Sequence, residues 1–283
     1  MLAKTKDLLE KARTYHYGMI APDFIDLHSA RIFVKTAERL KTPILLSFAQ
    51  AHCHLLSLEE AALIGKFWIE QVQTPISLHL DHGKDFSYIE KAINCGFNSV
   101  MIDASMYVLK DNIRITREIV DFAHAHNVDV EAEIGHVGGS TEGGSETDSI
   151  YTSVSEAVAF VKATNVDSLA VSIGTSHGVY KNNKNPSLNF KRLKELRAAV
   201  PIPLVLHGGS GTGDENIRRA VQEGITKVNV FTEFMTSAFR TIQEETPDRY
   251  ASLQLAADKG MEKTLAHYIA VVSQGIRGGE NES

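Results

Sequence analysis

The sequence predicts an α/β fold in which eight parallel strands close into a (β/α)8 TIM barrel. Short apolar runs rich in β-branched residues occur eight times in the 283 residues, and segments with helical periodicity separate most of them. Strand followed by helix, repeated eight times within about 250 residues, is typical of this barrel. A doubly wound open sheet shows the same alternation and remains the alternative, and the count of eight favours the barrel.

The predicted strands cover eight ranges in chain order: 17–21, 43–49, 76–82, 99–105, 129–135, 168–174, 203–209 and 227–232. Between them, apolar residues recur at helical spacing over 58–72, 87–95, 111–126, 155–164 and 189–199. An amphipathic helix at the N-terminus and a helix over about 253–272 extend the barrel. The glycine-rich, acidic stretch 138–149 is predicted to be a mobile loop. We therefore expect one domain over residues 1–283.

Composition narrows the class of protein. The formal charge is -6, from 29 basic and 35 acidic residues, with no long run of like charge, and this argues against a nucleic-acid partner. Cys53 and Cys95 are the only cysteines, which indicates a reducing cytoplasm. No signal-peptide pattern and no stretch of about 18 apolar residues is found, so no membrane association is predicted.

Three histidines stand at the ends of predicted strands: His82, His177 and His207. The carboxyl ends of barrel strands carry the active site in this fold, and three histidines from different strands suit a catalytic zinc ion. A single histidine here would more often have a structural role. His52 and His54 form a further pair, which we interpret as part of a polar loop, and His79 is expected inside the barrel.

Asp81 precedes the first of these histidines. Neighbouring strand residues face opposite sides, so Asp81 and His82 converge on one cavity only if the strand ends there, and Gly83 permits that turn. The alternative is that Asp81 orients a histidine or caps a helix.

A glycine-rich segment, HGGSGTGDENI, follows the seventh strand. Its glycines let backbone N–H groups approach an anion near Ser210, and Asp214 begins the next helix. The eighth strand ends in NVFT, with Asn229 and Thr232 as donors. Barrel enzymes often bind phosphate at the loops after strands seven and eight, so we interpret this region as a phosphate site rather than a tight turn.

Metal, phosphate and carboxylate together indicate aldol chemistry. A divalent ion that coordinates a ketose carbonyl and its neighbouring hydroxyl stabilises an enediolate, while a carboxyl group exchanges a proton with the aldehyde oxygen. The Schiff-base route needs a lysine at the barrel mouth. Lys227 is expected to begin its strand, at the opposite end.

Five segments resemble the class II, zinc-dependent ketose-bisphosphate aldolases, which include the fructose- and tagatose-bisphosphate enzymes: HLDHG, EAEIG, VSIGTSHGVYK, PLVLHGGSG and KVNVFTE. The resemblance runs from about residue 2 to beyond 239. It implies a homodimer or homotetramer that reversibly cleaves a ketose (bis)phosphate into dihydroxyacetone phosphate and an aldehyde.

The resemblance also implies roles for individual residues. His82, His177 and His207 match the ligands of one Zn²⁺, and Asp81 matches the acid/base. Residues that match the dihydroxyacetone phosphate site are Gly178, Gly208, Gly209, Ser210, Gly211, Asn229, Val230, Phe231 and Thr232. Asp103 and Glu133 lie where a second cation could bind. Glu142 matches a loop glutamate implicated in proton transfer, and Glu146 competes for that role.

Departures from the family pattern lie where the aldehyde should bind. Ile20 and Ala21 replace a Phe-Asn pair, Ala49 replaces a serine, and Ala104-Ser105-Met106 replaces a GSH segment. Polar groups of a site strongly decide specificity, so we expect an aldehyde other than glyceraldehyde 3-phosphate, from a sugar-acid, deoxy-sugar or other ketose 1-phosphate.

Functions of other classes remain open. A non-catalytic barrel subunit would need no metal. An amidohydrolase could use His52 and His54 but would have an aspartate at the end of strand eight. A phosphosugar isomerase or epimerase would be metal-free, so the zinc content separates it from an aldolase.

Overall fold

The computed structural model describes residues 1–135, 151–175 and 186–273. These residues contain the predicted barrel of eight parallel strands: β1 (Met19–Pro22), β2 (Ile44–Ala49), β3 (Ile76–Gly83), β4 (Ser99–Ile102), β5 (Asp129–Ile134), β6 (Ser168–Val171), β7 (Leu204–Leu206) and β8 (Ile225–Val230). The (β/α)8 prediction is therefore confirmed, and the doubly wound alternative is wrong.

The strands pair in a continuous order that runs β1-β8-β7-β6-β5-β4-β3-β2. The barrel closes just past the end of β1, where Asp23 forms a parallel bridge with Ser47 of β2. Phe24 N–H donates to the Ser47 carbonyl across this seam at 2.9 Å. Asp23 is thereby held at the carboxyl rim of the barrel.

The described residues form the following α-helices: α1 (Thr5–Tyr15), α2 (Leu27–Leu40), α3 (Leu58–Glu70), α4 (Phe86–Cys95), α5 (Leu109–Ala125), α6 (Val154–Thr164), α7 (Phe190–Ala199), α8 (Asp214–Glu223), α9 (Thr232–Glu245) and α10 (Tyr250–Val272). A short 3-10 helix, Gln50–His52, follows β2. Side chains determine several helix starts, as in α3, where Ser57 and Glu60 form a reciprocal capping box.

Helix α1 closes the amino-terminal end of the barrel. Leu9 and Ala12 are fully buried and belong to one apolar cluster with Met19 and Leu45, which lie near the start of β1 and β2. Thr5 Oγ1 also lies 2.5 Å from Ser77 Oγ of β3. With this end occupied by α1, the carboxyl end is left as the place for a site.

The last strand differs from its predicted range. It begins at Ile225, two residues before the predicted start, and ends at Val230, so Thr232 begins α9 instead of ending the strand. Lys227 therefore lies in the middle of β8 and is fully buried. The expectation that Lys227 begins its strand is wrong, because Ile225 and the polar Thr226 are buried and belong to β8 as well.

No helix in the described segments is both long enough and apolar enough to span a bilayer.

Candidate active site

A cleft of about 190 Å³ opens at the carboxyl end of the barrel. Its walls come from the ends of β1, β2, β3, β7 and β8. The lining residues are Asp23, Ala49, Ala51, His52, Asp81, His82, His207, Gly208, Gly209, Ser210, Asn229, Val230, Phe231 and Thr232. Carboxylates, imidazoles and the glycine-rich loop share this cleft.

Asp81 and His82 reach the same cleft because β3 is irregular. Its register with β4 shifts between Leu80 and Gly83, and His82 adopts a φ of 47°. Left-handed backbone is costly for a residue with a Cβ and marks local strain. The expected convergence is present, but it comes from a bulge at His82 within the strand and not from a strand end before Gly83.

Two imidazoles face each other at the centre of the cleft. His207 Nδ1 and His82 Nε2 are 2.9 Å apart, and the outer nitrogen of each ring meets a carboxylate. His82 Nδ1 is 2.9 Å from Asp103 Oδ2, and His207 Nε2 is 2.8 Å from Glu131 Oε1. These partners fix the ring orientations, so that the inner nitrogens converge.

The charges around the two rings differ. Burial alone would lower the pKa of His82, but the Asp81 and Asp103 carboxylates outweigh burial and raise that pKa to about 10. Burial lowers the pKa of His207, although its hydrogen bond to Glu131 opposes the shift. His82 has two carboxylates near its ring nitrogens, Asp81 at 3.9 Å and Asp103 at 2.9 Å.

Below the imidazoles lies a buried charged cluster. Lys227 Nζ donates to Glu131 Oε2 at 2.7 Å and lies 3.2 Å from His79 Nε2. Burial and the Lys227 charge lower the pKa of His79 to about 3, so its neutral ring accepts from Lys227 and donates from Nδ1 to Ser99 at 2.8 Å. The prediction that His79 is a satisfied interior residue is confirmed.

Asp81 is held as an anion within this field. Burial opposes its ionisation, but the charges of His82, His207 and Lys227 outweigh burial and lower its pKa to about 2. Asn229 Nδ2 donates to Asp81 Oδ1 at 2.8 Å. This hydrogen bond fixes the position of the carboxylate.

Two groups of side chains have the composition of a metal site. In each group the candidate ligand atoms lie within 4.8 Å of one another. One group is Asp81, His82 and His207, and the other is His82, Asp103 and Glu133. The groups share His82, so two adjacent cation positions are available.

The glycine-rich loop packs directly on β8. Gly209 N–H donates to the Asn229 carbonyl at 3.0 Å, and a Cβ at Gly209 would lie 2.6 Å from that oxygen. Ser210 Oγ accepts from the backbone N–H groups of Phe231 and Glu233 at 3.3 and 3.4 Å. Gly211 does not line the cleft, and its N–H donates to Glu233 Oε1 at 3.1 Å.

Of the residues predicted for the site, the described part of the chain brings Asp81, His82 and His207 together with Gly208, Gly209, Ser210 and the 229–232 segment. His177, Gly178, Glu142 and Glu146 lie outside the described residues. Their predicted roles as metal ligand, phosphate contact and loop acid therefore stay predictions.

The sequence analysis did not identify Asp23 or Glu131 as site residues. It interpreted His52 only as part of a polar loop. Asp23 follows β1 directly, so the rule that polar residues at strand ends line the site could have found it. His52 lines the cleft, and its ring lies over Phe231 with centroids 4.2 Å apart. The rule for polar residues at strand ends did not identify Glu131, because it lies within β5, two residues before the strand-end acid Glu133.

Comparisons with known proteins identify the family and the fold. Residues 3–275 match the family model described as fructose-bisphosphate aldolase class-II. The chain is similar to the YdjI aldolase from Escherichia coli K12, at 32% identity and a TM-score of 0.88 over 100% of both chains. It shares the fold of the fructose-bisphosphate aldolase from Campylobacter jejuni, at 20% identity and a TM-score of 0.82 over 96% of this chain and 95% of that one.

Proposed function

Because the chain belongs to the class II fructose-bisphosphate aldolase family, we propose that it cleaves a ketose phosphate reversibly into dihydroxyacetone phosphate and an aldehyde, using a bound metal ion. The chain is an aldolase. The observation that carries the proposal is the pair of inner nitrogens, His207 Nδ1 and His82 Nε2, 2.9 Å apart beside the Asp81 carboxylate.

The donor set fits a divalent cation such as zinc. Zinc ligands in catalytic sites are often histidines whose other ring nitrogen donates to a carboxylate, and both imidazoles here have such a partner. His82 and His207 would hold the ion, with His177 as the third ligand, and Asp103 and Glu133 would serve a second cation. When bound, the catalytic ion supplies a Lewis acid that polarises the ketose carbonyl.

Asp81 is the proposed acid/base of the bond-breaking step. In cleavage, its carboxylate takes the proton from the hydroxyl group of the carbon that becomes the aldehyde, and in condensation it returns that proton. The amide of Asn229 holds Asp81 Oδ1 and leaves the second carboxylate oxygen available for the transfer. Glu142, or Glu146, is proposed to move the proton at the dihydroxyacetone carbon.

Dihydroxyacetone phosphate is proposed to bind between the glycine-rich loop and the start of α9. Ser210 and the backbone of Phe231 and Thr232 line the cleft there, and the N-terminus of a helix favours an anion. Gly208 and Gly209 let the backbone approach the phosphate, and Gly178 is proposed as a further contact. Gly211 could contribute only if its N–H leaves Glu233.

The first test is the release of dihydroxyacetone phosphate from a panel of ketose 1-phosphates and 1,6-bisphosphates, with and without a chelator. We expect release that the chelator abolishes and that added zinc restores.

The variant Asp81→Asn should retain zinc, measured by elemental analysis, and lose at least about 100-fold in kcat, as expected for a lost acid/base. Full activity of this variant would eliminate the proposed role, and release that persists without metal would refute the metal-dependent mechanism.

We further propose a cytoplasmic homodimer or homotetramer. Support comes from the two cysteines, which are both free, and from exposed apolar side chains such as Phe239 and Leu255 on α9 and α10. The mass of the native protein in solution distinguishes these assemblies from a monomer.

A further inference from the structure

We propose that Asp23 and His52 form a subsite for an uncharged, hydroxyl-bearing aldehyde half of the substrate. The inference rests on the proposed aldolase function and names the part of the substrate that this cleft selects. Both residues line the cleft on the side where β1 and β2 meet, next to Asp81.

The backbone holds Asp23 firmly. Asp23 N–H donates to the Val230 carbonyl at 3.4 Å, and the neighbouring Phe24 N–H donates across the seam to Ser47. The Asp23 side chain is 95% buried, since only 5% of the residue is exposed, yet its Oδ1 has no hydrogen-bond partner among the described residues. Leaving a buried polar atom unpaired is costly, so such an atom in a cleft indicates a ligand that supplies the partner.

A second acceptor lies in the same cleft. Asn229 donates its amide to Asp81, and its Oδ1 is also buried without a described partner. Asp23 directly follows β1, and Asn229 lies on the adjoining strand β8, where Ala21 pairs with Asn229 and Pro22 with Val230. Burial and the neighbouring Asp81 charge raise the pKa of Asp23. A hydroxyl group both donates and accepts, so a hydroxylated carbon chain pairs with either form of the Asp23 carboxyl group and with the Asn229 oxygen.

His52 closes this side of the cleft. Its ring packs against Phe231, and its Nδ1 is buried without a partner among the described residues. Burial lowers the pKa of His52, which favours the neutral form of its ring. A neutral imidazole both donates and accepts, which suits a hydroxyl group and gives no charge to bind an anion.

Carboxyl groups disfavour a phosphate or carboxylate at this position. The features proposed to bind phosphate, the glycine-rich loop and the start of α9, are assigned to the dihydroxyacetone phosphate half, and the carboxyl side chains of Asp23 and Asp81 remain for the aldehyde half. A second anion placed here would lie beside the Asp81 carboxylate in a buried setting, where repulsion is poorly screened. Hydroxyl groups therefore fit next to Asp81, and a phosphorylated aldehyde terminus does not.

The test runs the reaction in the condensation direction, with dihydroxyacetone phosphate and three aldehydes on the zinc-loaded enzyme. Glyceraldehyde supplies hydroxyl groups, propionaldehyde lacks them, and glyceraldehyde 3-phosphate adds the anion. We expect kcat/KM to favour glyceraldehyde over propionaldehyde by about 10- to 100-fold, the value of a hydrogen bond to a buried polar group. A wild-type preference for glyceraldehyde 3-phosphate over glyceraldehyde would overturn the proposal.

Variants of the subsite give the second arm. Asp23→Ala and the bulkier Asp23→Leu should each reduce the preference for glyceraldehyde over propionaldehyde by about 10-fold, whereas Asp23→Asn, which keeps an acceptor oxygen, should retain most of it. His52→Phe keeps a ring over Phe231 without its nitrogens and should lower the same ratio. The matched control is Asp26→Asn, which alters the cap of α2 outside the cleft and should leave the ratio unchanged.

A partial reaction distinguishes the proposed aldehyde subsite from the proposed aldolase function. Exchange of the carbon-bound proton of dihydroxyacetone phosphate with solvent needs the metal and the phosphate site and no aldehyde. Asp23→Ala should lose at least about 10-fold more in condensation with glyceraldehyde than in this exchange. An unchanged aldehyde ratio in an exchanging Asp23→Ala enzyme refutes the subsite alone, and the absence of exchange and cleavage in the wild type refutes the aldolase proposal beneath it.

Discussion

Glu131 connects the candidate metal ligand His207 to the interior of the barrel. One oxygen of its carboxylate accepts from His207 and the other from Lys227. Only 1% of Glu131 is exposed. Although burial opposes ionisation, the Lys227 charge and the His207 hydrogen bond keep the pKa of Glu131 well below its usual range. The anion fixes the tautomer of His207 that presents Nδ1 to the cleft.

Removing that anion should weaken metal binding. Glu131→Gln no longer holds His207 in one tautomer, and we expect a 10- to 100-fold loss of zinc affinity, about the effect of losing a hydrogen-bond partner of a metal ligand. Competition with a chromophoric chelator measures this affinity without reference to activity. Glu195→Gln, on the exposed face of α7, is the control.

The free energy of unfolding distinguishes a specific effect on zinc affinity from general destabilisation. Glu131→Gln also leaves Lys227 charged and buried, which should cost about 3 to 5 kcal/mol of unfolding free energy. The double variant Glu131→Gln/Lys227→Met removes both charges and should recover most of that loss while zinc affinity stays low. If affinity returned together with stability, Glu131 would have no specific effect on His207.

The sequence indicated His82 and His207 because histidines at strand ends are visible in a linear pattern. Lys227 was misplaced because the position of a residue within a buried strand depends on where the strand starts, and the apolar run of β8 has no clear start. The position of Asp23 directly after β1 was visible in the sequence and was overlooked. Its unpaired oxygen and its place at the closure between β1 and β2 are tertiary properties, which the sequence does not reveal.

At the scale of elements, the approach of the β7 loop to β8 shapes the phosphate side of the cleft. A Cβ at Gly209 would lie 2.6 Å from the Asn229 carbonyl oxygen and 2.6 Å from Val228 Cγ1. The backbone oxygen cannot rotate away as a side chain can. Only glycine lets the loop reach β8 and form the Gly209 hydrogen bond.

Gly209→Ala should therefore displace this loop and weaken binding of the phosphorylated half. We expect KM for the ketose phosphate to rise at least about 10-fold, with a loss of about 1 to 3 kcal/mol in unfolding free energy from overpacking. Steady-state kinetics and denaturant unfolding measure the two effects. Gly65→Ala is the matched control, because its Cβ would meet side-chain atoms of the buried Leu78, at 2.5 Å, and neither residue lines the cleft. An equal rise in KM for both variants would show that the effect is general destabilisation.

The helices of the sequence prediction agree with the structure to within a few residues, because capping residues and apolar spacing are local signals. Strand ends agreed less well, as at β4, which ends at Ile102 and not at residue 105. The bulge at His82 was not predicted either. It requires a left-handed φ at a histidine, which no local pattern specifies.

At the scale of the molecule, both ends of the described chain attach to the barrel. Near the start, Ala3 N–H donates to the Ile76 carbonyl of β3 at 3.0 Å, and α1 occupies the amino-terminal end. Near the other end, the Val272 carbonyl at the end of α10 accepts from the N–H of Gly18, the residue before β1, at 3.0 Å. The barrel cannot open without breaking these contacts, which supports the proposal of one domain.

We accordingly expect one cooperative unfolding transition. Trp68 is the only tryptophan and lies on α3, so its fluorescence reports on one place in the barrel, whereas far-UV circular dichroism reports on all helices. The two denaturation curves should coincide, and zinc should move both to higher denaturant concentration together, because a ligand that binds the native state stabilises the whole cooperative unit. Separate midpoints, or a zinc shift seen by one probe alone, would divide the chain into independently folding parts and refute the single domain.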